Sequence, residues 1–340
     1  MIKFAIVGAG LWGESHAAVY NEHPHAAPAA ICDLDGAKAQ AFAKRNAIPE
    51  VYTDYREMLE KCDCDAIAIV TPDFAHTDIA VAAAQAGKHM LIEKPLATTR
   101  EDVFGIMEAV EKAGVRAMVD LHNRWNPPFN TAKQLVESGV YGKPLHAHFR
   151  LTDNLWVATD MLSWVERSSI LWFLGSHSLD TMNWIVGSCP VEVFAVQNEG
   201  RLKSLGINAV DTYMSTIRYQ NGVIAQMENS WITPNGNPCV NDFKFYLVME
   251  NGKLDIDCSN PHLLLVSDQE RMFSADVLVK NHVFGKAKGF AYESIRSFVD
   301  KLHNGEEFHV SLKDAANVSL ALLGIIKSAK IGRPVEVERI

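Results

Sequence analysis

The chain has 340 residues, a net charge of −9 at pH 7 and six cysteines. This length suits two domains that each bury a core of their own, and the acidic balance, with no run of basic residues, argues against nucleic acid or anionic membrane as a partner. No stretch of eighteen or more apolar residues predicts a membrane span, and the dispersed cysteines favour a reducing compartment. We therefore expect a soluble, cytoplasmic protein.

The N-terminal segment predicts a dinucleotide-binding turn. Residues 2–7 are apolar and β-branched, as a buried parallel strand requires, and a glycine-rich turn follows at once and opens into a helix-compatible run. The residues of this turn are Gly8, Ala9, Gly10, Leu11, Trp12 and Gly13. Gly8 permits the tight turn, Gly10 lets backbone N–H groups approach a pyrophosphate, and Gly13 lets helix and strand pack closely.

The next strand ends in an acidic residue that bears on cofactor choice. The apolar segment 29–32 ends in Asp33, about twenty residues after Gly13. A carboxylate there accepts hydrogen bonds from both ribose hydroxyls and repels a 2′-phosphate, so the sequence favours NAD. NADP stays open, because Lys38 and Arg45 follow and either side chain could reach a 2′-phosphate.

Short apolar runs alternate with helical ones up to about residue 122. Strands are predicted at 29–32, 51–52, 66–70, 89–92 and 116–119, and helices at 11–20, 36–46, 54–60, 77–86 and 99–113. Strands that alternate with glycine-terminated helices are typical of a doubly wound parallel sheet. We therefore predict an α/β fold whose N-terminal Rossmann domain, residues 1–122, binds NAD(P).

The pattern changes beyond this point. Asn126-Pro127-Pro128 interrupts the alternation, and long extended runs follow a predicted helix at 131–137. Strands are predicted at 145–151, 191–197, 212–219, 223–231, 243–250 and 254–257, and helices at 289–303 and 312–329. Asn221-Gly222 and Asn251-Gly252 stand between alternating runs and predict hairpins. The sequence thus predicts a second, α+β domain over residues 123–340 with a large, open antiparallel sheet.

Polar residues follow two of the predicted parallel strands. In a doubly wound fold the ligand lies outside the carboxyl ends of the strands, so these residues are candidates for chemistry. Thr71-Pro72 and His76 follow one strand, and Glu93-Lys94-Pro95 follows the next. A lysine beside the nicotinamide can stabilise an alkoxide-like oxygen as hydride leaves the same carbon. We expect Lys94 to have this role rather than to be a surface lysine.

Together, the glycine turn, the Thr71-Pro72 turn with His76, and Glu93-Lys94-Pro95 resemble the Gfo/Idh/MocA family of sugar and cyclitol oxidoreductases. The resemblance covers essentially the whole chain. It implies that Lys94 is the catalytic lysine and that further residues contact the cofactor. These are Thr71, Pro72, His76, Glu93 and Pro95. It also implies that Arg124, in Arg124-Trp125-Asn126-Pro127, borders the substrate, and that the open sheet forms the contacts of a homodimer or homotetramer.

The second catalytic segment departs from the family pattern. Many members resemble Asp-x-Gly-x-His-x-x-Asp, whose first Asp and His lie four apart on a helix and handle a proton together. This chain keeps His177 and Asp180 but has Phe173 at the first acid. We expect His177 to be the general base, because neutral imidazole accepts a proton near working pH. Asp180 either orients His177 or has a structural role, and Glu166 or Arg167 could replace the missing acid.

Aromatic residues cluster in sequence around this position. Phe173 removes a hydrogen-bond acceptor and adds an apolar wall, and Trp164 and Trp172 lie near it. Flat aromatic faces stack on the C–H faces of pyranose rings. The three residues therefore either contact a glycoside-like substrate or fill a core.

No metal site is predicted. Cys62-Asp63-Cys64 has too short a spacing for zinc and no companion pair. His146 and His148 alternate along a strand without further ligands at a matching spacing.

These patterns favour a dehydrogenase that transfers hydride between NAD and a secondary hydroxyl of a sugar, glycoside or cyclitol. Two alternatives remain open at this point. One is a redox-assisted glycosidase, which oxidises a hydroxyl transiently, eliminates the aglycone and reduces the product again. The other is a non-enzymatic, NAD-bound sugar sensor.

Overall fold

A computed structural model describes residues 1–259, 263–267, 269, 272–274 and 277–340. The chain divides into two compact units. The first contains Met1–Trp125 and Leu278–Ala316, and the second contains Asn126–Val277 and Asn317–Ile340. The assignment of residues 1–122 to cofactor binding and of residues 123–340 to substrate binding and oligomerisation stays a prediction.

The first unit is built on a six-stranded parallel sheet. Its strands are β1 (Ile2–Val7), β2 (Ala26–Cys32), β3 (Glu50–Tyr52), β4 (Ala66–Ile69), β5 (His89–Ile92) and β6 (Ala117–Val119). The spatial order is β3-β2-β1-β4-β5-β6, and every neighbouring pair is parallel. The order reverses between β1 and β4, which is where doubly wound sheets bind their ligands. The predicted doubly wound fold is confirmed.

Five helices connect these strands. They are α1 (Leu11–Glu22), α2 (Gly36–Asn46), α3 (Tyr55–Lys61), α4 (His76–Gln85) and α5 (Arg100–Ala113). Capping interactions explain where several of these helices begin or end. The Asp35 side chain accepts hydrogen bonds from the first N–H groups of α2, Thr99 caps α5, and Gly114 ends α5 in the left-handed conformation.

The second unit begins with a helix whose start the sequence places too late. The helix α6 (Pro127–Glu137) begins at Pro127 rather than at residue 131. Proline is well suited to the first turn of a helix, since the N–H that it lacks would have no intrahelical partner there. The pair of prolines therefore starts the helix after the break in the parallel pattern.

A seven-stranded sheet follows, whose last strand comes from the C-terminal end of the chain. Its first six strands are β7 (Pro144–Asn154), β8 (Pro190–Asn198), β9 (Thr212–Tyr219), β10 (Ile224–Thr233), β11 (Asn241–Met249) and β12 (Gly252–Asp257). The order of these six strands is β12-β11-β7-β10-β9-β8, and the seventh strand lies beside β8. The sheet is mixed, because β7 and β10 pair in parallel while the other pairs are antiparallel. Both predicted hairpins, β9–β10 and β11–β12, are confirmed.

The two faces of this sheet differ in polarity and burial. Along β9, Tyr213 and Ile217 are buried, whereas Met214 and Arg218 face solvent. The buried face packs a hydrophobic core that includes the fully buried Trp231. This alternation is the period-two pattern of a sheet with one covered face.

Helical segments also lie between the strands of the second unit. Widened π-helical turns span Val157–Met161 and Leu171–Gly175, and the second runs directly into α7 (Ser176–Val186). A short helix, α8 (Arg201–Ser204), follows β8. Two short strands, β13 (Leu265–Ser267) and β14 (Met272–Ser274), form a further antiparallel pair.

The C-terminal part of the chain contributes to both units. The hairpin of β15 (Asn281–Val283) and β16 (Lys286–Lys288) and the helix α9 (Phe290–Asn304) belong to the first unit. The helix α10 (Leu312–Ile331) spans the division, and β17 (Val335–Glu336) pairs with β8 at the edge of the mixed sheet. No helix among the described residues has both the length and the apolar character that crossing a membrane requires.

Candidate active site

The turn after β1 requires two of its glycines for steric reasons. Gly8 has φ +116°, and a Cβ added there would lie 2.5 Å from the carbonyl oxygen of Val70. A Cβ on Gly13 would lie 2.3 Å from the carbonyl oxygen of Gly8. These glycines therefore allow α1 to begin close against β1 and β4, at the point where the strand order reverses.

Gly10 has a different role, because space surrounds it. A Cβ added to Gly10 would meet no atom within 4 Å. Gly10 is also the N-cap of α1, and no side chain caps this helix end. The first N–H groups of a helix carry partial positive charge and need acceptors. The open turn before α1 thus fits a pyrophosphate, as the sequence predicts.

Asp33 links the end of β2 to this turn. Its Oδ2 accepts hydrogen bonds from the Ala9 N–H at 2.8 Å and from Lys38 Nζ at 3.2 Å, and its Oδ1 accepts one from the Asp35 N–H at 3.0 Å. Burial acts to raise the pKa of Asp33, but these three hydrogen bonds outweigh it and hold the pKa below its usual value. The carboxylate is therefore charged where a ribose would lie.

His76 joins two of the predicted segments. It is fully buried at the start of α4. Its Nδ1 lies 2.8 Å from the carbonyl oxygen of Pro95, and its Nε2 lies 3.0 Å from the carbonyl oxygen of Thr71. Both ring nitrogens thus contact backbone oxygens, and the ring fixes the turn after β4 against the turn after β5. Thr71 Oγ1 is buried and has no hydrogen-bond partner among the described residues, which leaves it for a ligand.

Lys94 lies in the second of these turns. It is partly exposed, while Glu93 and Pro95 on either side are buried, and the Lys94–Pro95 peptide bond is cis. The Glu93 N–H donates a hydrogen bond to the carbonyl oxygen of Ile69, which continues the pairing of β5 with β4. The lysine therefore lies just beyond the carboxyl end of β5, at the edge of the sheet where a doubly wound fold presents reactive groups.

Buried polar residues that the sequence reasoning missed lie beside Glu93. His16 Nε2 is 3.9 Å from Glu93 Oε1, and His122 Nδ1 is 3.7 Å from Asp120 Oδ2. The ring of His122 stacks on Trp12 of the glycine turn at a centroid distance of 5.2 Å. Asp120 directly follows β6, so the rule that polar residues after parallel strands are candidates would have found it.

Arg124 is held by other groups of the first unit. Its Nη1 donates hydrogen bonds to the carbonyl oxygen of His309 at 2.7 Å and to Asp314 Oδ2 at 3.2 Å. The guanidinium is buried. These contacts favour a structural role for Arg124, in addition to the role at the substrate that the sequence predicts.

In the second unit, the predicted general base lies at the start of α7. His177 and Asp180 are both buried there, and Thr181 Oγ1 donates a hydrogen bond to the His177 carbonyl oxygen at 2.6 Å. Asn229, which the sequence reasoning missed, donates to Ser178 Oγ at 3.0 Å and so fixes this helix against β10. A Cβ on Gly175 would lie 3.2 Å from Asn229 Oδ1, which makes glycine the suitable residue.

The aromatic residues lie in the same segment. Trp164 and Phe173 meet edge to face at a centroid distance of 6.2 Å. Both are partly buried, whereas Trp172 is buried in the core. The candidates to replace the missing acid, Glu166 and Arg167, are exposed, and Glu166 Oε1 accepts a hydrogen bond from the Asn208 N–H at 2.6 Å. Glu166 therefore anchors a neighbouring loop.

The parallel sheet, its glycine turn and the acid after β2 define an NAD-binding oxidoreductase domain. A family model described as the oxidoreductase family with an NAD-binding Rossmann fold matches residues 2–121, and a model of the GFO/IDH/MocA C-terminal domain matches residues 129–255. The chain belongs to the Gfo/Idh/MocA family. The predicted family, cofactor type and enzyme class are confirmed.

Relatives of known name are similar over their whole length. The chain is 28% identical to D-xylose 1-dehydrogenase (NADP(+)) 2 of Haloferax volcanii, covering 99% of this chain and 100% of the relative. It is 24% identical to myo-inositol 2-dehydrogenase of Thermotoga maritima, covering 100% and 99%.

A solved structure shares the fold. Scyllo-inositol dehydrogenase from Lactobacillus casei with bound cofactor NAD(H) and scyllo-inositol has a TM-score of 0.83 to this chain, with 19% identity and 99% of each chain covered. At this identity the likeness shows the fold alone.

Proposed function

We propose that this protein transfers hydride between NAD and a secondary hydroxyl of a sugar, glycoside or cyclitol. The observation that carries the proposal is Lys94, partly exposed at the carboxyl end of β5 in a turn that His76 fixes to the turn after β4. A lysine held there is suited to donate a hydrogen bond to a substrate hydroxyl.

The residues of the first unit fit a dinucleotide. The glycine turn offers uncapped N–H groups to the pyrophosphate, Asp33 offers a charged carboxylate to the ribose, and Thr71 offers a buried hydroxyl that has no partner among the described residues. When bound, the nicotinamide supplies the hydride acceptor or donor. NAD is preferred because Asp33 repels a 2′-phosphate, and Lys38 is the residue that would relax this preference.

Two side chains handle the oxygen and proton of the substrate. Lys94 donates a hydrogen bond to the reacting hydroxyl and stabilises its developing negative charge, while His177 accepts its proton. Asp180, buried on the same helix, either orients His177 or has a structural role. Phe173 replaces the acid that many family members carry at this position, so the base works without a carboxylate four residues before it.

The substrate class follows from the family and from the aromatic pair. Relatives are named for xylose and myo-inositol, which are polyhydroxylated rings or can form such rings. Trp164 and Phe173 offer aromatic surface that suits the C–H face of a ring, and Trp172 is buried in the core of the same unit. Arg124 completes the proposed set of substrate residues.

The test is a rise in NADH absorbance when the purified protein and NAD or NADP are offered a panel of sugars, glycosides, sugar acids and inositols. We expect turnover with one substrate class and a lower Kd for NAD than for NADP. The Lys94→Ala variant, run in the same wells, should be inactive. Absence of turnover across the panel, with NAD bound, would contradict the proposal.

A redox-assisted glycosidase is the second candidate, favoured by Phe173 in place of the acid and by its contact with Trp164. Here the same residues would act on a glycoside whose hydroxyl is oxidised by NAD, whose aglycone leaves by elimination, and which regains the hydride from NADH after water has added to the double bond. Release of free sugar without net NADH in the same panel would select this reaction.

We further propose a homodimer or homotetramer that forms through the open face of the mixed sheet. On this face Val196 and Met214 are paired across β8 and β9 and are 50% and 49% exposed. Phe194 on β8 extends this apolar surface, and Ile224 on β10 is exposed on the same face opposite Arg218. Contiguous exposed apolar residues of this kind mark protein interfaces.

A further inference from the structure

We propose that the first unit binds a divalent transition-metal ion between His16, Glu93 and Asp120. The three residues come from α1, from the turn after β5 and from the residue after β6. One ligand atom from each lies within 4.8 Å of the other two. All three side chains are buried, so the cluster is not a patch of exposed acids.

Each of the three residues has a buried polar atom that needs a partner. His16 Nε2, Glu93 Oε1 and Asp120 Oδ2 form no hydrogen bond within the described parts of the chain. Buried polar atoms nearly always have a hydrogen-bond partner, because a buried polar atom without one destabilises the folded state. Three such atoms from three elements, facing one another, indicate a bound cation as their shared partner.

Outer hydrogen bonds orient two of the ligands. The Tyr20 hydroxyl lies 3.0 Å from His16 Nδ1, and Ser294 Oγ donates to Asp120 Oδ1 at 2.5 Å. When Nδ1–H donates to Tyr20, the lone pair of Nε2 faces Glu93. Metal-binding histidines and carboxylates are commonly held by such partners through their other polar atom. The arrangement therefore resembles a metal site with its supporting contacts in place.

The distances between the three ligand atoms show how far they must move to bind a metal ion. His16 Nε2 and Glu93 Oε1 are 3.9 Å apart, and an ion with ligands at about 2.0 to 2.2 Å needs the most distant pair of the three atoms to approach by roughly 1 Å. Binding therefore requires side-chain rotations that bring the three ligand atoms together. His122 Nδ1 lies 3.7 Å from Asp120 Oδ2 and contacts this carboxylate from outside the group of three ligand atoms. Three protein ligands leave at least one coordination position for water.

The donor set determines the class of ion. Imidazole nitrogens and carboxylate oxygens without thiolate suit Zn²⁺, Mn²⁺, Fe²⁺ or Co²⁺, whereas Mg²⁺ and Ca²⁺ prefer oxygen alone. The sequence predicts no metal, because the ligands lie far apart along the chain. Since Glu93 precedes Lys94, the ion would fix the turn that carries this lysine.

A competing explanation is charge balance by the protein's own cations. Lys280 lies close enough to Glu93 for their charges to interact, although burial lowers the pKa of Lys280. Protonated His16 or His122 would add further positive charge. In that case the cluster would bind no metal at concentrations too low for nonspecific binding of metal to the protein surface.

The test is metal binding by the purified full chain after treatment with a chelator. Titration with Zn²⁺ and, separately, with Co²⁺ should give one equivalent per chain by elemental analysis, together with the visible absorption of tetrahedral Co²⁺ and a rise in Tm. His16→Gln and Asp120→Asn should weaken Co²⁺ binding at least tenfold. His146→Gln, which changes an exposed histidine on β7, should bind as the unchanged protein does.

Circular dichroism and NADH binding verify that each variant is folded. If Asp120→Asn does not fold, Ser294→Ala replaces it, because loss of the outer hydrogen bond should weaken Co²⁺ binding by about tenfold without removing a ligand. Less than a tenth of an equivalent of either metal, or equal Co²⁺ affinity in the folded His16→Gln variant, would overturn the proposal.

Discussion

The Asp33 carboxylate accepts a hydrogen bond from the backbone N–H of Ala9 at 2.8 Å. This contact joins the end of β2 to the glycine turn after β1, so the two parts of the cofactor site hold each other in place. Lys38 Nζ lies 3.2 Å from the same carboxylate oxygen. We therefore expect ribose recognition and tolerance of a 2′-phosphate to depend on Asp33 and Lys38, because the other candidate cation, Arg45, is paired with Glu14 at 2.7 Å.

Replacing Asp33 by Ser should change cofactor preference. The variant loses the charged acceptor for the ribose hydroxyls and frees Lys38, so we expect the Kd for NADH to rise about tenfold or more, given about 1.5 to 3 kcal/mol for hydrogen bonds to a charged group. The Kd for NADPH should fall. Fluorescence titration with each nucleotide measures both, and Lys38→Ala is the matched control that should weaken NADPH binding alone. An unchanged NADH affinity in Asp33→Ser would contradict the ribose assignment.

Two glycine substitutions should separate folding from cofactor binding. In Gly8→Ala the new Cβ would lie 2.5 Å from a backbone oxygen and φ is +116°, so we expect a marked fall in Tm. In Gly10→Ala the Cβ meets no atom within 4 Å, so Tm should change little while NADH affinity falls. Differential scanning fluorimetry and NADH titration distinguish the two. Equal NADH affinity in Gly10→Ala would show that the pyrophosphate does not approach this residue.

Lys94→Ala should abolish turnover without loss of cofactor. Removing the group that stabilises the substrate oxygen should lower kcat by about 10² to 10⁴, whereas the Kd for NADH should stay within about twofold because the nucleotide is held elsewhere. Lys112→Ala, at an exposed position on α5, is the control and should keep full activity. A Lys94→Ala enzyme that retains most of its kcat would contradict the catalytic assignment.

Local patterns were sufficient to predict the first sheet and its strand-end residues. Gly8 and Asp33 stand directly after an apolar run and Lys94 stands two residues after one, so their place at the carboxyl ends of strands follows from short segments of sequence. Helix ends were predictable where one residue decides them, as at Gly114. The start of α6 was not, because Pro127 can either end a pattern or begin a helix.

Features that depend on long-range pairing could not be predicted. Asn-Gly turns predict hairpins. Nothing in the sequences of β7 and β10 indicates that these two strands pair in parallel, because β8 and β9 lie between them along the chain. The cluster of His16, Glu93 and Asp120 forms for the same reason, since only the fold brings α1 and two strand ends together.

Acidification should destabilise the first unit through His89. Its Nδ1 accepts a hydrogen bond from the Arg116 N–H at 3.0 Å, and burial, with Arg116 nearby, holds the pKa of His89 below its usual value. The unfolded chain therefore binds a proton first, so the contribution of neutral His89 is fully present above about pH 6.5 and is lost as the pH falls toward the lower, folded pKa.

Urea unfolding at pH 7.5 and pH 5.5 measures this effect. His89→Asn retains an acceptor but cannot titrate, so its free energy of unfolding should fall less between the two pH values than that of the unchanged protein. His146→Asn, on the exposed part of β7, should behave as the unchanged protein does. The same pH dependence in His89→Asn would rule out His89 as the source.

A charged residue introduced on the open face of the mixed sheet should dissociate the proposed oligomer into single chains. Val196 and Met214 are directly opposite each other on β8 and β9 and about half exposed, so Met214→Glu places a carboxylate in the centre of the apolar surface, where an interface would have to desolvate it. We expect the mass from light scattering after size exclusion to fall to that of a single 37.7 kDa chain, with Tm measured to confirm folding. Val140→Glu, an exposed apolar position before β7, is the control and should leave the mass unchanged. A folded Met214→Glu variant with the same mass as the unchanged protein would exclude this face as the interface.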